Sequence, residues 1–287
     1  MILKTTHKIA IATIASKGVL FTRRFVGLGS TADVTRHGVR WRLDLREGID
    51  FSIYLLGSFE PRTVGSYAEL VKSGDVVLDI GANIGAHTLP LARLVGPTGR
   101  VVAFEPTAFA FQKLLENTAL NPDLAPRISA SQLMLVAERS GGVPPTLFSS
   151  WPLSAEQGLH AKHKGRSMTT EGASAVTLDD AVRELNLKAV NFIKIDVDGH
   201  ELPVLRGGAA TIEQFRPAIL IELSPYVHAE EGYNFDDLIT FFQERGYRFR
   251  NANTGKELPL DAARLRATIP DGSGINAVAF TRRPPQK

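Results

Sequence analysis

The chain has 287 residues, 44% hydrophobic and 22% charged, enough apolar material to bury a large core in a globular fold. It contains no cysteine, which excludes disulfides, thiolate catalysis and any cysteine-ligated zinc or iron-sulfur centre. The net charge of +3 is uneven, because Lys4, Lys8, Lys17, Arg23 and Arg24 all precede the first acid, Asp33. Elsewhere the chain is slightly acidic and shows no basic stripe interleaved with aromatics, so nucleic acid is not an expected partner.

Two readings fit the basic, partly apolar start and its short run "IAIATIA": an amphipathic helix docked on its own domain, or a segment that touches an anionic membrane surface or serves in targeting. No later stretch approaches the roughly 18 apolar residues of a membrane span. The expected location is therefore cytoplasmic, with peripheral membrane contact through the N-terminus as the alternative. Residues 1–50 form this extension together with a lead-in strand, and residues 51–287 form one large domain.

In "VRWRLDLRE" Val39, Trp41, Leu43 and Leu45 alternate with charged neighbours, the pattern of a half-exposed strand. Val64, Tyr67, Leu70 and Val71 follow helical spacing and stop at Ser73-Gly74. Then comes "VVLDIGANIGAHTLPLA", residues 76–92, where a short β-branched run gives way to helical spacing. Gly81 and Gly85 sit at that strand-to-helix turn, where a missing Cβ permits a sharp bend and close approach of a ligand.

The alternation then repeats. "RVVAFEP" (100–106) reads as a strand, 107–121 as a helix and "ISASQLMLV" (128–136) as a third strand. Residues 138–175 break the rhythm with paired glycines, prolines and a basic "HAKHKGR", an excursion long enough to predict a functional lid. Thr177 and Asp180 form a capping box, followed by strand 190–197, helix 201–215, strand 218–223, helix 235–246 and two more strands. Such alternation implies a parallel sheet flanked by helices, with ligands beyond the carboxyl ends of its strands.

Acids collect at those ends: Asp79, Glu105, Asp196, Asp198 and Glu222. Glu105 lies 20 residues after Gly85, the spacing at which an acid accepts hydrogen bonds from ribose hydroxyls. A dinucleotide turn needs a middle glycine where this chain has Asn83, which disfavours a nicotinamide-dependent oxidoreductase. Asp79 beside the turn repels a diphosphate and suits the sulfonium and ammonium groups of S-adenosylmethionine. A noncatalytic cofactor-binding scaffold on the membrane is the other rival reading.

The blocks "VVLDIGANIGAHTLPLA", "VVAFEPTAFAFQKLLENTALN", "VTLDDAV" and "FIKIDVDGHELPVLRGG" with "RPAILIEL" together resemble the FkbM family of S-adenosylmethionine-dependent methyltransferases over residues 50–250. The resemblance implies the class I methyltransferase fold, an α/β, Rossmann-like, doubly wound and mostly parallel seven-stranded sheet. It makes Asn83 a family feature of the turn and implies O-methylation of a sugar, glycan or natural-product hydroxyl. Two departures, the insertion "SSWPLSAEQGLHAKHKG" and Asp198 where Glu is common, fall where the acceptor is chosen.

The candidate cofactor-binding residues are Asp79, Gly81, Ala82, Asn83, Gly85, Glu105, Pro106, Glu138 and Asp196. The candidate catalytic residues are Asp196, His200 and Glu222, with His200 the expected general base because its unperturbed pKa lies near neutrality. No metal site is predicted, and Asp196 with Glu222 is the alternative holder of a cation. His87 reads as a packing or capping residue, His160 and His163 as loop residues, and Trp151 and the helix from Phe109 as core.

Overall fold

The computed structural model describes residues 5–154, 156–160 and 164–281. An N-terminal helix, Thr5–Phe25, leads into an antiparallel hairpin of Thr31–Arg36 with Val39–Asp44. In the second hairpin strand Val39, Trp41 and Leu43 are buried and their neighbours face outward, so the alternation sets the buried face. Two helices, Gly48–Leu56 and Pro61–Leu70, follow.

The centre is one sheet built from β1 (Val76–Ile80), β2 (Arg100–Phe104), β3 (Ile128–Ser131), β4 (Phe192–Ile195), β5 (Ala218–Leu223), β6 (Arg248–Asn251), β7 (Glu257–Leu258) and β8 (Ile275–Phe280). Its order is β7-β6-β8-β5-β4-β1-β2-β3. The strands β3, β2, β1, β4 and β5 are parallel, whereas β8 runs antiparallel to both β5 and β6. This is the doubly wound class I methyltransferase sheet with one added two-residue edge strand, β7. Strand order reverses at β1, where β2 and β3 lie to one side and β4 and β5 to the other. The crevice at the carboxyl ends of β1 and β4 is the topological switch point at which such sheets bind ligands.

Helices cover both faces of this sheet. One face packs Leu78, Ile80, Ile193, Ile195, Ile219 and Ile221 against the later helices, and the other packs Val77, Phe192 and Leu220 against the N-terminal elements and the helix Thr88–Leu94. Tyr67 lies fully buried in this second core.

Two runs are divided where a single element was expected, and one residue differs in burial. The run 128–136 is two strands, because the chain breaks at Gln132 and Leu133–Leu135 leaves the central sheet to pair with Ser174–Val176. The run 201–215 is two helices, Glu201–Gly207 and Ala209–Phe215. At that break a Cβ on Gly207 would stand 2.1 Å from the Val136 carbonyl oxygen, and one on Gly208 2.5 Å from Leu178 Cδ2, so the glycines admit neighbours there. Phe109 was expected in the core, yet it is exposed on the helix Ala108–Ala119, with the Lys113 ammonium near its ring.

The irregular region has structure of its own. Thr146–Ser149 pairs antiparallel with Arg166–Thr169, and Trp151 and Leu153 beyond the first strand bond residues 46–48. A Cβ on Gly48 would overlap the Trp151 ring at 1.9 Å, so Trp151 does pack into the body of the protein.

Candidate active site

The β1 turn is held from within. The backbone N–H groups of Gly81 and Ala82 both donate to the Phe104 carbonyl at 3.0 Å, which ties the turn to the end of β2. Gly81 and Gly85 have φ values of 76° and 90°, a conformation that favours glycine. Space demands glycine too. A Cβ on Gly81 would lie 1.9 Å from the Asp196 carbonyl oxygen and one on Gly85 2.9 Å from Leu114, so the close approach at these glycines is by the protein itself. Asn83, with φ 48°, takes the left-handed conformation that asparagine tolerates.

Glu105 is buried beside this turn. Its carboxylate accepts hydrogen bonds from the Asn83 N–H at 2.9 Å and from the Thr107 N–H and hydroxyl at 2.9 and 2.6 Å. Burial raises its pKa above the ordinary glutamate value, against the lowering effect of those donors. Pro106, the next residue, is half-buried, and its carbonyl accepts from the Gln132 side chain. Glu138 stands apart as an exposed residue at the start of a short 3-10 turn.

Asp79 lies inward of the mouth, fully buried. Thr88 donates its hydroxyl proton to one carboxylate oxygen at 2.6 Å, and the Lys194 ammonium stands 3.4 Å from the other. The register of β1 and β4 places Lys194 directly beside Asp79. Lys194 also donates to the Gly81 carbonyl at 2.7 Å and lies 3.7 Å from Asp196. Burial would depress its pKa, but the carboxylates of Asp79 and Asp196 outweigh that and leave it raised. Lys194 was not among the expected site residues, although a lysine inside the apolar strand "FIKI" was the available signal.

Four carboxylates gather past the end of β4: Asp196, Asp198, Glu201 and Glu222. Burial together with repulsion from Asp196 raises Asp198 and Glu222 well above the usual carboxylate range. Glu201, raised by burial to about 7, accepts the N–H bonds of Val197 and Gly199 and so holds the turn in which Asp198 has φ 48°. Among the described residues no group of three or more His, Asp or Glu side chains has the arrangement to hold a metal ion.

His200 occupies the cap position of the helix Glu201–Gly207 but makes no side-chain cap bond. Its Nε2 lies 3.6 Å from Glu231 and its ring meets Tyr233 edge-on. Burial lowers its pKa, an effect that Glu231 partly opposes. The carboxylate beside His200 is thus Glu231. A second histidine, His228, is buried 3.5 Å from Glu201 and pushed down by burial to about 4. Neither Glu231 nor His228 was expected at the site, since no sequence motif marks them.

His87 hydrogen-bonds Tyr67 through Nδ1 at 2.8 Å in the core, as a packing residue should. The insertion reaches both sides of the crevice. Ser149 and Ser150 accept from the Asn83 side chain at 3.3 and 3.0 Å, and His160 lies 3.4 Å from Glu230 on the helix Pro225–Glu230. His163 falls outside the described residues.

A family model described as the methyltransferase FkbM domain matches residues 79–249, more than half of the chain. The protein therefore belongs to the FkbM methyltransferase family. It is 33% identical over 139 residues to the hexuronic acid methyltransferase AglP of Haloferax volcanii, covering 48% of this chain and 52% of that protein. It is also 29% identical over 162 residues to the 31-O-demethyl-FK506 methyltransferase FkbM of Streptomyces tacrolimicus, covering 48% and 60%. The chain thus spans only about half to three fifths of the curated relatives it matches. A crystal structure of an FkbM methyltransferase from Methylobacillus flagellatus superposes with a TM-score of 0.43 and 18% identity, over 72% of this chain and 44% of that one.

Proposed function

We propose that the protein transfers the methyl group of S-adenosylmethionine to a hydroxyl of a sugar, glycan or natural product. The observation that carries this reading is the excess of carboxylates around one ammonium at the switch point. Asp198 and Glu222 are raised by burial and by repulsion from Asp196, so a ligand that brings positive charge into the crevice is favoured there. A sulfonium donor with an ammonium group supplies it, and a dinucleotide diphosphate does not. When bound, such a donor offers an electrophilic methyl carbon. The relatives named for a hexuronic acid and for a demethylated FK506 hydroxyl support an oxygen acceptor.

The chain's own residues divide the remaining work. Glu105, oriented by three donors, holds the donor's ribose hydroxyls against the Asn83 turn, and Asp196 faces its ammonium group. Lys194 holds Asp79, Asp196 and the Gly81 carbonyl in register. In the transfer the acceptor oxygen bonds the methyl carbon as the sulfur–methyl bond breaks, and the hydroxyl proton leaves to a base. His200, kept neutral by its lowered pKa, takes that proton, and the adjacent Glu231 carboxylate stabilises the imidazolium that results. The insertion, anchored at Asn83 and Glu230, closes over the acceptor.

Incubation with radiolabelled S-adenosylmethionine and a panel of uronic acids, glycosides and polyketide alcohols tests the reading. Label in an O-methyl ether, located by NMR, is the expected result; label only on nitrogen or carbon would overturn it.

A further inference from the structure

The N-terminal helix docks by one face only. Ser16 donates its hydroxyl to the Leu45 carbonyl at 2.7 Å in the interior, and Ala12, Ala15, Val19 and Leu20 pack on the same core. Arg23 turns back to the Gly29 and Thr31 carbonyls. The opposite face is apolar as well. Ile11, Ile14, Phe21 and Phe25 are 60%, 74%, 73% and 87% exposed. At about 100° per residue these four side chains fall within about 80° of one another, so they form a single outward stripe. Lys17 and Arg24 lie exposed along one flank of it. Burying large apolar groups on a second face is unnecessary for folding, and leaving them in water is unfavourable, so a stripe of this kind marks an interaction surface.

We infer that this stripe rests on an anionic lipid surface, with Ile14, Phe21 and Phe25 in the headgroup boundary and Lys17 and Arg24 against acidic headgroups. Charge complementarity selects the occupant. No acidic residue precedes Asp33, so two copies of this face would bring like charges together, whereas an acidic bilayer neutralises them. The geometry is that of a helix lying in the interface plane. Among the described residues no helix is long and apolar enough to cross a membrane. This inference is independent of the identity of the methyl acceptor.

Flotation of the full chain with vesicles tests it. Wild type should bind vesicles of phosphatidylcholine containing a quarter phosphatidylglycerol at least tenfold more tightly than vesicles of phosphatidylcholine alone, and molar salt should weaken that binding. The Ile14→Ser/Phe21→Ser/Phe25→Ser variant and, separately, the Lys17→Glu/Arg24→Glu variant should each lose at least about tenfold in vesicle affinity, since each basic residue near the surface contributes about fivefold. Both should keep wild-type affinity for S-adenosylhomocysteine, which shows that the fold survives. Failure to bind anionic vesicles would overturn the inference. So would a wild-type dimer that the serine variant dissolves, which would assign the stripe to a second copy of the chain.

Discussion

Lys194 and Asp79 are neighbours in register on adjacent parallel strands, both buried, with the ammonium 3.4 Å from the carboxylate. A buried pair of this kind adds little net stability over an apolar pair, but removing one partner strands the other charge. Lys194→Met should therefore destabilise the protein by about 3 to 5 kcal/mol. The double variant Lys194→Met/Asp79→Asn should recover part of that loss. Urea denaturation of the two variants measures it, and additive losses would contradict the pairing.

His228 and Glu201 give stability a two-sided pH dependence. An unfolded histidine titrates near 6.5 and the folded His228 at about 4. The unfolded chain therefore binds more protons between those values, and stability falls as the pH drops through that window. Glu201 acts with the opposite sign. Its folded pKa of about 7 exceeds the ordinary 4.5, so the folded chain holds the proton longer and stability falls as the pH rises from 4.5 to 7. Glu201→Gln removes the second slope alone. Thermal melts of wild type and variant should converge near pH 4.5 and diverge in favour of the variant by pH 8, and melting curves displaced by a constant amount would refute the assignment.

The insertion is anchored at its base by Ser149, Ser150, Trp151 and Leu153, so deleting all of it would damage the core as well as the crevice. Replacing residues 156–164 with a short Gly-Ser linker leaves those anchors. We expect donor affinity within about twofold of wild type and acceptor kcat/KM reduced by at least tenfold, as a lid requires. Calorimetry and steady-state kinetics separate the two, and equal loss of both would make the segment purely structural.

His200→Ala should lower turnover by roughly 10² to 10⁴-fold with donor affinity unchanged, the range of a lost general base. Glu231→Gln should keep most of the rate at high pH while moving the acid limb of the kcat/KM profile to lower pH, because the neighbouring carboxylate favours the imidazolium. Wild-type turnover in His200→Ala would remove it from the mechanism and leave Glu222 or Asp198 as the base.

The β1 turn was legible because its signals are local: a β-branched run, a switch to helical spacing, and two glycines that both need positive φ. The carboxylates at the strand ends were legible for the same reason, since strand position follows from alternation. What they touch was not. Asp79 and Lys194 are 115 residues apart, and "FIKI" reads as one apolar run until the parallel register sets its lysine beside an acid. Glu231 and His228 reach the site only because the segment after β5 folds back over Gly199, whose added Cβ would stand 2.7 Å from Val227. The role of the glycines shifted too: Gly81 and Gly85 make room for Asp196 and Leu114.

Titration calorimetry with S-adenosylhomocysteine on wild type and Glu105→Gln tests the central claim most directly. Glutamine preserves the shape and keeps one of the two oxygens that separately accept the Asn83 and Thr107 N–H groups, so the charged acceptor is lost together with one of those bonds, and a thermal melt checks that the variant is folded. Hydrogen bonds to a charged group contribute roughly 1.5 to 3 kcal/mol. The account predicts that wild type binds S-adenosylhomocysteine and not NAD, and that the folded variant binds it at least tenfold more weakly. Unchanged affinity in the variant, or binding of NAD in place of S-adenosylhomocysteine, would contradict it.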